Sequence, residues 1–331
     1  MITMATKAAG KPYEYFGSHR LGDRIVFRVY APFAVAAFLV GDFNSWDESC
    51  PMQRTDAHGA WEVFIDSEAF RFSGLYKFKF LTESGEEIYK SDPYGLYFED
   101  SYERATRFFE TDYEWRDGTW LDYRKKAYKK GRVPAEERVY KINRVAWRCR
   151  PDGSLCSYPE LFYTLVSDIK RSGCTHIGFA PLMEKSHDSF CGYRTAGFFA
   201  PTARYGDPNG FCAMVDLFHR AGIGVVLDWA PVKFANDGAG LGMFDGTPLY
   251  ECKNGDCAGK NGCFDLTCEE TRNFLASSAL FWIDRFHIDG LSLTDAELDP
   301  CCAAASARQR DFFEEVKKMI AEKYPDVFFE F

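Results

Sequence analysis

The sequence lacks a long apolar run, a leader-like start and an excess of basic residues. No apolar run approaches the roughly 18 residues that a membrane-spanning helix needs, which excludes a helical membrane protein. The start, MITMATKAAGKPYEYF, contains no apolar core of a secretory signal, so we expect a cytoplasmic protein with no membrane partner. Lys and Arg number 40 against 49 Asp and Glu, so we expect no nucleic-acid partner.

The sequence also has few of the patterns that hold metals, phosphates or cofactors. The glycine-rich stretch Asp237 to Gly246 lacks the Lys-Ser/Thr pair of a phosphate loop, and His176 and His219 are not spaced as a metal pair. His176 is expected to be a core residue of a strand, and His219 an ordinary residue near the end of a helix. The 12 cysteines are expected to be buried thiols of a reducing compartment. Four cysteines cluster with gaps of four, five and four residues, which is borderline for a zinc knuckle and favours unligated thiols: Cys252, Cys257, Cys263 and Cys268. We therefore expect neither a metal nor another cofactor.

The first third of the chain has the pattern of an all-β domain. Short alternating stretches are separated by Gly-, Asp- and Asn-rich turns, without a helical period. The sequence therefore predicts an N-terminal immunoglobulin-like β-sandwich over residues 1–118, with strands at 24–30, 36–40, 60–65 and 75–81. The charged stretch WLDYRKKAYKKGRVPAEER follows, and it predicts a solvated linker or helix face over residues 119–138.

From residue 139 to residue 331 the pattern alternates between strands and helices. Helices are predicted at 158–172, 209–221, 269–286 and 307–324, and strands at 139–147, 175–180, 223–228, 287–293 and 327–331. This alternation predicts a parallel sheet with helices outside, and five strands match the first half of a (β/α)8 TIM barrel, strands 1 to 5. A complete barrel needs eight strands, so we expect a fragment, a partial gene or a chain completed by a partner.

Motifs in the same order along the chain resemble those of one enzyme family. GDFNSWD (Gly41 to Asp47) is similar to the family's GDFNxWD, and KSDPY (Lys90 to Tyr94) to its KADPYA. AGIGVVLDW nearly repeats AGIGVILDW, FDGTPLY is identical to the family's FDGTPLY, and ALFWIDRFHIDGL is similar to ALFWLEEYHIDGL. The chain thereby resembles the 1,4-α-glucan branching enzymes (glycogen branching enzymes) of the α-amylase superfamily. The resemblance implies that the N-terminal sandwich is of the carbohydrate-binding type.

The resemblance also implies a reaction. Branching enzymes cleave an α-1,4 glucan and transfer the piece to a 6-hydroxyl with retention, through a covalent glycosyl-enzyme. Such a mechanism needs a carboxylate nucleophile and a carboxylic acid about 5 Å apart. In the family the nucleophile is an Asp at the end of strand four, in GLRVDAV, and the acid is a Glu at the end of strand five.

Carried over to this chain, the resemblance places two sugar-site residues and alters several others. Tyr193 lies at the family's sugar-stacking Tyr and Asp228 at its strand-three Asp, while Lys233 replaces the His of DWVPGHF. The family's GLRVDAV reads GLSLTDA here, so Ser292 stands at the Arg position and Thr294 at the nucleophile position.

Two displaced carboxylates remain as catalytic candidates. Asp295 could serve as nucleophile only if a β-bulge restores its direction, because a one-residue slip turns a strand side chain to the other face. The alternative for Asp295 is a helix cap or a surface turn. Glu330, at the end of strand five, is a displaced candidate for the acid. For Asp228 and Tyr193 the alternatives are backbone hydrogen bonding and simple packing.

The altered positions lead to two hypotheses on function. In the first, the chain is a branching enzyme-like protein of glycogen and α-glucan metabolism whose catalysis is impaired or absent. In the second, it is a non-catalytic protein that binds α-glucan through aromatic platforms such as Trp46 and Trp61, or a scaffold. We also expect self-association, or a partner chain, at the open edge of the partial barrel.

Overall fold

The computed structural model describes residues 11–55, 59–68, 70, 74–128, 138–142, 150, 152, 154–186, 194–235, 237–252, 262–293 and 303–330. The N-terminal part of these residues is a β-sandwich of antiparallel strands. One sheet has the order β1-β2-β5-β4, and the other has the order β3-β6-β9-β8, with β7 also paired to β6. The strands are β1 (Gly17–Leu21), β2 (Arg24–Tyr30), β3 (Ala36–Gly41), β4 (Gln53–Arg54), β5 (Ala60–Asp66), β6 (Leu75–Leu81), β7 (Glu87–Lys90), β8 (Tyr97–Phe98) and β9 (Thr106–Arg107).

Aromatic side chains fill the space between the two sheets. On β6, Tyr76 and Phe78 are fully buried, and Phe27 of β2 lies 4.9 Å from the Tyr76 ring, centroid to centroid. Edge-to-face ring contacts of this kind add to the free energy gained by burying apolar area. The predicted β-sandwich is confirmed, and the predicted strand 75–81 has the bounds of β6.

The C-terminal part is an α/β unit built on a parallel sheet. The sheet has the order β10-β11-β14-β15-β16, and each neighbouring pair is parallel. Its strands are β10 (Val139–Ile142), β11 (His176–Phe179), β14 (Gly224–Asp228), β15 (Gly290–Ser292) and β16 (Phe328–Glu330). Five helices accompany it within the described residues: α1 (Gly118–Ala127), α2 (Tyr158–Ser172), α3 (Pro208–Arg220), α4 (Glu269–Phe286) and α5 (Ala303–Lys323). The predicted α/β architecture, the first five strands of a partial barrel, is confirmed.

Two features of the α/β unit differ from the expectation. The segment expected as a linker contains α1, whose Trp120 and Arg124 are buried. The loop expected after β11 contains an antiparallel hairpin of β12 (Met183–Lys185) and β13 (Thr195–Pro201). The two sheets of the sandwich and the α/β unit share one continuous apolar core.

One buried carboxylate joins the amino-terminal ends of the parallel strands. Asp289, directly before β15, is fully buried. Its Oδ1 accepts hydrogen bonds from Trp120 Nε1 at 2.8 Å and from Arg124 Nη1 at 2.8 Å. Its Oδ2 accepts from the Val225 amide at 2.6 Å and lies 2.9 Å from His219 Nε2. The carboxylate therefore connects α1, α3, β14 and β15.

Histidine and arginine supply the positive charge that Asp289 needs in the core. Both ring nitrogens of His219 face carboxylates, since Nδ1 lies 2.9 Å from Asp117. Burial alone would lower the pKa of His219, but the charges of Asp289 and Asp117 outweigh it and the pKa is raised. Burial would raise the pKa of Asp289, but the charges of His219 and Arg124 hold it well below its usual range. Arg124 also donates a hydrogen bond to Asp326, which lies two residues before β16. His219 is thus part of an ion network, which the expectation of a simple helix-end residue missed.

We expect Asp289→Asn to lower the free energy of unfolding by about 3–5 kcal/mol, because it leaves Arg124 and His219 buried with less compensating charge. Urea denaturation of the full chain measures the change. The matched control is Asp122→Asn, an exposed acid on the same helix as Arg124, which should change the free energy by less than about 0.5 kcal/mol. Equal effects of the two substitutions would contradict the role given to Asp289.

Candidate functional site

Three neighbouring strands bring their last residues into one row. Asp228 of β14 is in register with Ser292 of β15, and Ser292 is in register with position 330 of β16. Residues in register on parallel strands lie side by side, with strands about 4.8 Å apart. The carboxyl end of a parallel α/β sheet is where ligands bind in this class of fold. The row is therefore the candidate site.

Asp228 is the charged centre of this row. It is only partly exposed, and the Ser292 hydroxyl donates a hydrogen bond to its Oδ1. Burial raises the pKa of Asp228, and the Ser292 hydrogen bond and the positive charge of Lys141 on β10 offset part of that rise. A neutral hydroxyl thus occupies the position next to the carboxylate, and Ser292 itself is buried.

The loop after β14 is held by two other segments. Lys233 is half-buried and forms an isolated antiparallel bridge with Cys263. The Phe234 amide donates to the carbonyl of Gly262 at 2.7 Å, and the Ala235 amide donates to the carbonyl of Thr195 on β13 at 2.8 Å. The backbone around Lys233 therefore has a defined position between β13 and residues 262–264.

Several predicted site residues lie outside the described residues. These are Tyr193, Thr294 and Asp295. The backbone of Glu330 is described as the last residue of β16, in register with Ser292. The row therefore places three of the predicted positions together, Asp228, Ser292 and 330, while the other catalytic expectations stay predictions.

Glu184 is a buried acid that the sequence reasoning missed. Its carboxylate accepts hydrogen bonds from Thr202 Oγ1 at 3.0 Å and from the amides of Ala203 at 2.7 Å and Lys185 at 2.9 Å. Burial raises the pKa of Glu184, and these hydrogen bonds lower it in part. Glu184 thereby ties β12 to the two residues that directly follow β13. A signal was present, because Glu184 lies in PLMEK next to a predicted strand end.

On the sandwich, Trp46 is presented by a tight turn after β3. Trp46 is 38% exposed, and its indole Nε1 donates to Asp42 at 3.1 Å. Asn44 closes the turn by accepting from the Gly41 amide at 2.9 Å and donating to two carbonyls. A side chain at Gly41 would put its Cβ 2.2 Å from the carbonyl oxygen of Leu75, so only glycine fits. The turn leaves part of the indole ring open to solvent, as a sugar platform requires.

A second exposed aromatic lies on the same sheet as Trp46. Tyr89 of β7 is 41% exposed and is in register with Lys79 of β6. Lys79 pairs with Glu48, close to the Trp46 turn, and with Glu87 at 2.7 Å. We call the exposed rings of Trp46 and Tyr89, together with the buried Lys79 on the strand beside Tyr89, the platform surface. The exposure of Tyr89 was not predicted from the sequence, because it depends on how β7 pairs with β6.

The structure places Trp61 differently from the expectation. Trp61 is only 7% exposed, and its Nε1 donates to the carbonyl of Ala31 at 2.9 Å. The Arg54 guanidinium lies over its ring at 4.9 Å. Trp61 is therefore a core side chain with a covered face, which corrects its assignment as an open platform.

The predicted cysteine cluster is only partly described. Cys268 donates a hydrogen bond from its Sγ to Glu270 at 3.0 Å, Cys263 is buried and Cys252 is half-buried, while Cys257 lies outside the described residues. Within the described ranges, no group of His, Cys, Asp and Glu side chains has the arrangement of a metal site. In the same part of the chain, every helix is too short or too polar to cross a bilayer.

Comparison with known proteins gives one family match and many sequence relatives. Residues 15–95 match carbohydrate-binding module 48, described as the isoamylase N-terminal domain. The chain is 40% identical over 285 residues to the 1,4-α-glucan branching enzyme GlgB of Desulfitobacterium hafniense, and 39% identical over 291 residues to that of Bacillus cereus. Each alignment covers 84% of this chain and 44% of the relative, so the chain spans less than half the length of these relatives.

Solved structures share the fold at low sequence identity. A putative α-amylase from Salmonella typhimurium superposes with a TM-score of 0.72 at 19% identity, over 95% of this chain and 48% of that protein. A pullulanase from Paenibacillus barengoltzii, solved with maltohexaose and α-cyclodextrin, gives a TM-score of 0.71 at 17% identity, over 94% of this chain and 52% of that protein. The sandwich and the α/β unit are therefore arranged along the chain as in these enzymes.

We expect Ser292→Ala to raise the pKa of Asp228 further above its ordinary value, because the hydroxyl hydrogen bond favours the ionised carboxylate. Carbon-detected NMR titration, with Asp228→Asn to assign the signal, measures it. Ser277→Ala is the control, since the Ser277 hydroxyl bonds only within α4 in the described contacts. An unchanged pKa in Ser292→Ala would show that the hydroxyl does not act on Asp228.

Proposed function

We propose that this chain, a relative of the 1,4-α-glucan branching enzymes, is a branching enzyme-like protein of α-glucan metabolism. It binds α-glucan and is catalytically impaired. The observation that carries the proposal is the pairing of Asp228 with Ser292 at the carboxyl ends of β14 and β15. The family resemblance places an arginine where Ser292 stands. The site thus keeps the aspartate of strand three, Asp228, but the residue beside it, Ser292, is uncharged.

The exchange of arginine for serine has an electrostatic consequence for a retaining mechanism. A carboxylate nucleophile must be ionised when it attacks, and a neighbouring cation stabilises that form. At the described end of the row, Ser292 offers one hydroxyl where the family has a guanidinium that is always charged. The pKa of Asp228 is raised because burial outweighs the combined effect of the Ser292 hydrogen bond and the positive charge of Lys141. A nucleophile at residues 294–295 would likewise lack the positive charge that the family's arginine provides.

The other altered positions support the same conclusion. Lys233 stands where the family has a histidine, and Thr294 where it has the nucleophilic aspartate. A threonine cannot replace that aspartate, because its hydroxyl needs a strong base and its glycosyl product is an ether-like acetal that would not turn over. Asp295 and Glu330 remain the displaced candidates for nucleophile and acid, and Tyr193, Asp228 and Lys233 are the proposed sugar contacts of the α/β unit.

The platform surface supports glucan binding by the sandwich. The module matched by residues 15–95 is named for carbohydrate binding, and one structural neighbour was solved with maltohexaose. In this chain, Trp46 offers an open ring and its indole N–H is already satisfied by Asp42. A ring held in this way can stack on a sugar without first losing rotational freedom, which lowers the entropic cost of binding. We propose that most of the glucan affinity lies here.

The edges of the parallel sheet support association as a second role. Within the described residues, β10 and β16 each pair with a strand on one side only. An exposed strand edge offers unpaired amides and carbonyls to another chain. Self-association, or pairing with a partner chain, stays a prediction, as do the cytoplasmic location and the domain bounds 1–118, 119–138 and 139–331.

We expect Trp46→Ala to weaken binding of glycogen by about tenfold, corresponding to about 1.4 kcal/mol, because a stacking face is removed. Affinity electrophoresis of the full chain in glycogen-containing gels measures the retardation. The matched control is Phe64→Ala, an exposed aromatic of β5 on the opposite sheet with Arg24 over its ring. Equal retardation of wild type and Trp46→Ala would remove the platform surface from the proposal.

We expect the purified chain to show no measurable branching or hydrolysis, because loss of a catalytic group costs several powers of ten in rate and more than one is altered here. The readouts are the iodine stain of amylose and reducing ends released after debranching. Activity that disappears in Asp295→Asn would contradict this and assign the nucleophile to Asp295. Activity that the substitution leaves unchanged would indicate a contaminating enzyme.

A further inference from the structure

The sandwich holds the loop after β14 through a buried lysine. Lys90, the last residue of β7, is buried, and its Nζ donates to the carbonyls of Gly238 at 2.9 Å and Gly242 at 2.6 Å. The amide of the next residue, Ser91, donates to the carbonyl of Ala239 at 2.9 Å. Three carbonyls of one short loop segment are therefore satisfied by two consecutive residues of the sandwich.

A buried arginine fixes the start of the same segment. The two terminal nitrogens of Arg104 bond to the two carboxylate oxygens of Asp237, one of them at 2.7 Å. Arg104 is 2% exposed, and Asp237 is partly exposed. A paired fork of this kind sets the direction of the carboxylate as well as its distance. Gly240 packs beside it, since a Cβ there would lie 3.3 Å from Arg104 Nη2 and 2.8 Å from the carbonyl of Ala235.

The far end of the segment is also held by the sandwich. The Phe33 amide donates to Asp245 at 2.9 Å, and the ring of Phe244 lies 5.5 Å from that of Phe80 on β6. Gly246 adopts a φ of 89°, and a Cβ there would lie 2.5 Å from Thr82. The segment 237–246 is therefore clamped along its length, by contacts that come from residues far away in sequence.

The clamped segment continues directly from the part of the loop that carries Lys233. On that side, Ala235 is bonded to Thr195 and Phe234 to Gly262. The loop 229–246 thus lies between the sandwich and the α/β unit, with each side holding one half. Burial lowers the pKa of Lys90 to about 8, with Asp237 and Glu251 opposing that change, so at neutral pH the clamp contains a buried cation.

We propose that Lys90 and Arg104 of the sandwich are positioning residues for the loop that carries Lys233 at the candidate glucan site. The N-terminal module then has a role apart from glucan binding at the platform surface, because it holds the half of the loop that follows Lys233. Only the assignment of that site to glucan rests on the proposed function.

Hydrogen exchange of the full chain, read by mass spectrometry at pH 7, tests the positioning. We expect amides of segment 237–246 to exchange at least tenfold faster in Lys90→Met and in Arg104→Met than in wild type, while β6 and β11 stay protected. Arg104→Lys should keep most of the protection, since its ammonium can still reach Asp237. The matched control is Arg28→Met, an arginine of the sandwich that pairs with Glu62 and has no described contact with the loop.

Two further variants keep the test decisive. If Arg104→Met unfolds the sandwich, Asp237→Asn removes the same ion pair from the loop side and should give the same increase. Exchange within twofold of wild type in Lys90→Met and Asp237→Asn would overturn the proposal. Wild-type protection in Arg104→Met would overturn it as well, because it would show that the side chain only fills space. Maltoheptaose is then added to the Trp46→Ala variant. Faster exchange in the clamp variants without any sugar-dependent protection of residues 229–235 in Trp46→Ala would uphold the positioning and reject glucan as the ligand of this site.

Discussion

The parallel sheet depends on one charge buried at its amino-terminal end. Asp289 has no solvent access, so its carboxylate must be compensated by the groups around it. Trp120, Arg124, His219 and the Val225 amide do this together, and they come from α1, α3 and β14. The position of α1 beneath the strands, and hence the path of the chain from the sandwich into the sheet, follows from this requirement.

The ion network around Asp289 holds the amino-terminal end of the sheet, so the residues at the carboxyl end can vary. In α/β proteins of this kind, stability is set at one end of the strands and chemistry at the other. This chain keeps the Asp289 network while the residues at the opposite end differ from the family pattern, with Ser292 beside Asp228. The network that holds the amino end of the sheet therefore does not depend on which residues stand at the carboxyl end. In the loop after β14, the sandwich contacts residues 237–242 through Lys90 and Arg104, and these contacts do not involve the residues at the strand ends.

Local patterns in the sequence were sufficient for the main elements. The helix predicted over 158–172 has those bounds, because Ser157 and Glu160 form a capping box and Gly173 ends it with a φ of 71°. The strand predicted over 287–293 begins only at Gly290, since His287 takes a left-handed conformation that ends α4. Element type was thus predictable from periodicity, whereas this boundary depended on one backbone conformation.

The features that the sequence did not reveal depend on contacts between distant residues. Trp61 and Trp46 are both tryptophans near strands, and only the contacts with Arg54 and Ala31 make the first a core residue. His219 looked like an ordinary helix-end residue, because its partners Asp117 and Asp289 lie 102 and 70 residues away. In the candidate site, the family resemblance placed Asp228 and Ser292 on strands three and four, and in the structure a hydrogen bond joins the two side chains.

We propose that the site of this chain binds glucan without forming a glycosyl-enzyme. The most direct measurement is intact-protein mass spectrometry after incubation with a 2-deoxy-2-fluoro-α-maltosyl fluoride, which traps the intermediate of retaining enzymes because its hydrolysis is slow. The account predicts that the mass of the protein does not change. A gain of one fluoromaltosyl group, mapped by proteolysis to a carboxylate at the end of β15 or β16, would contradict it.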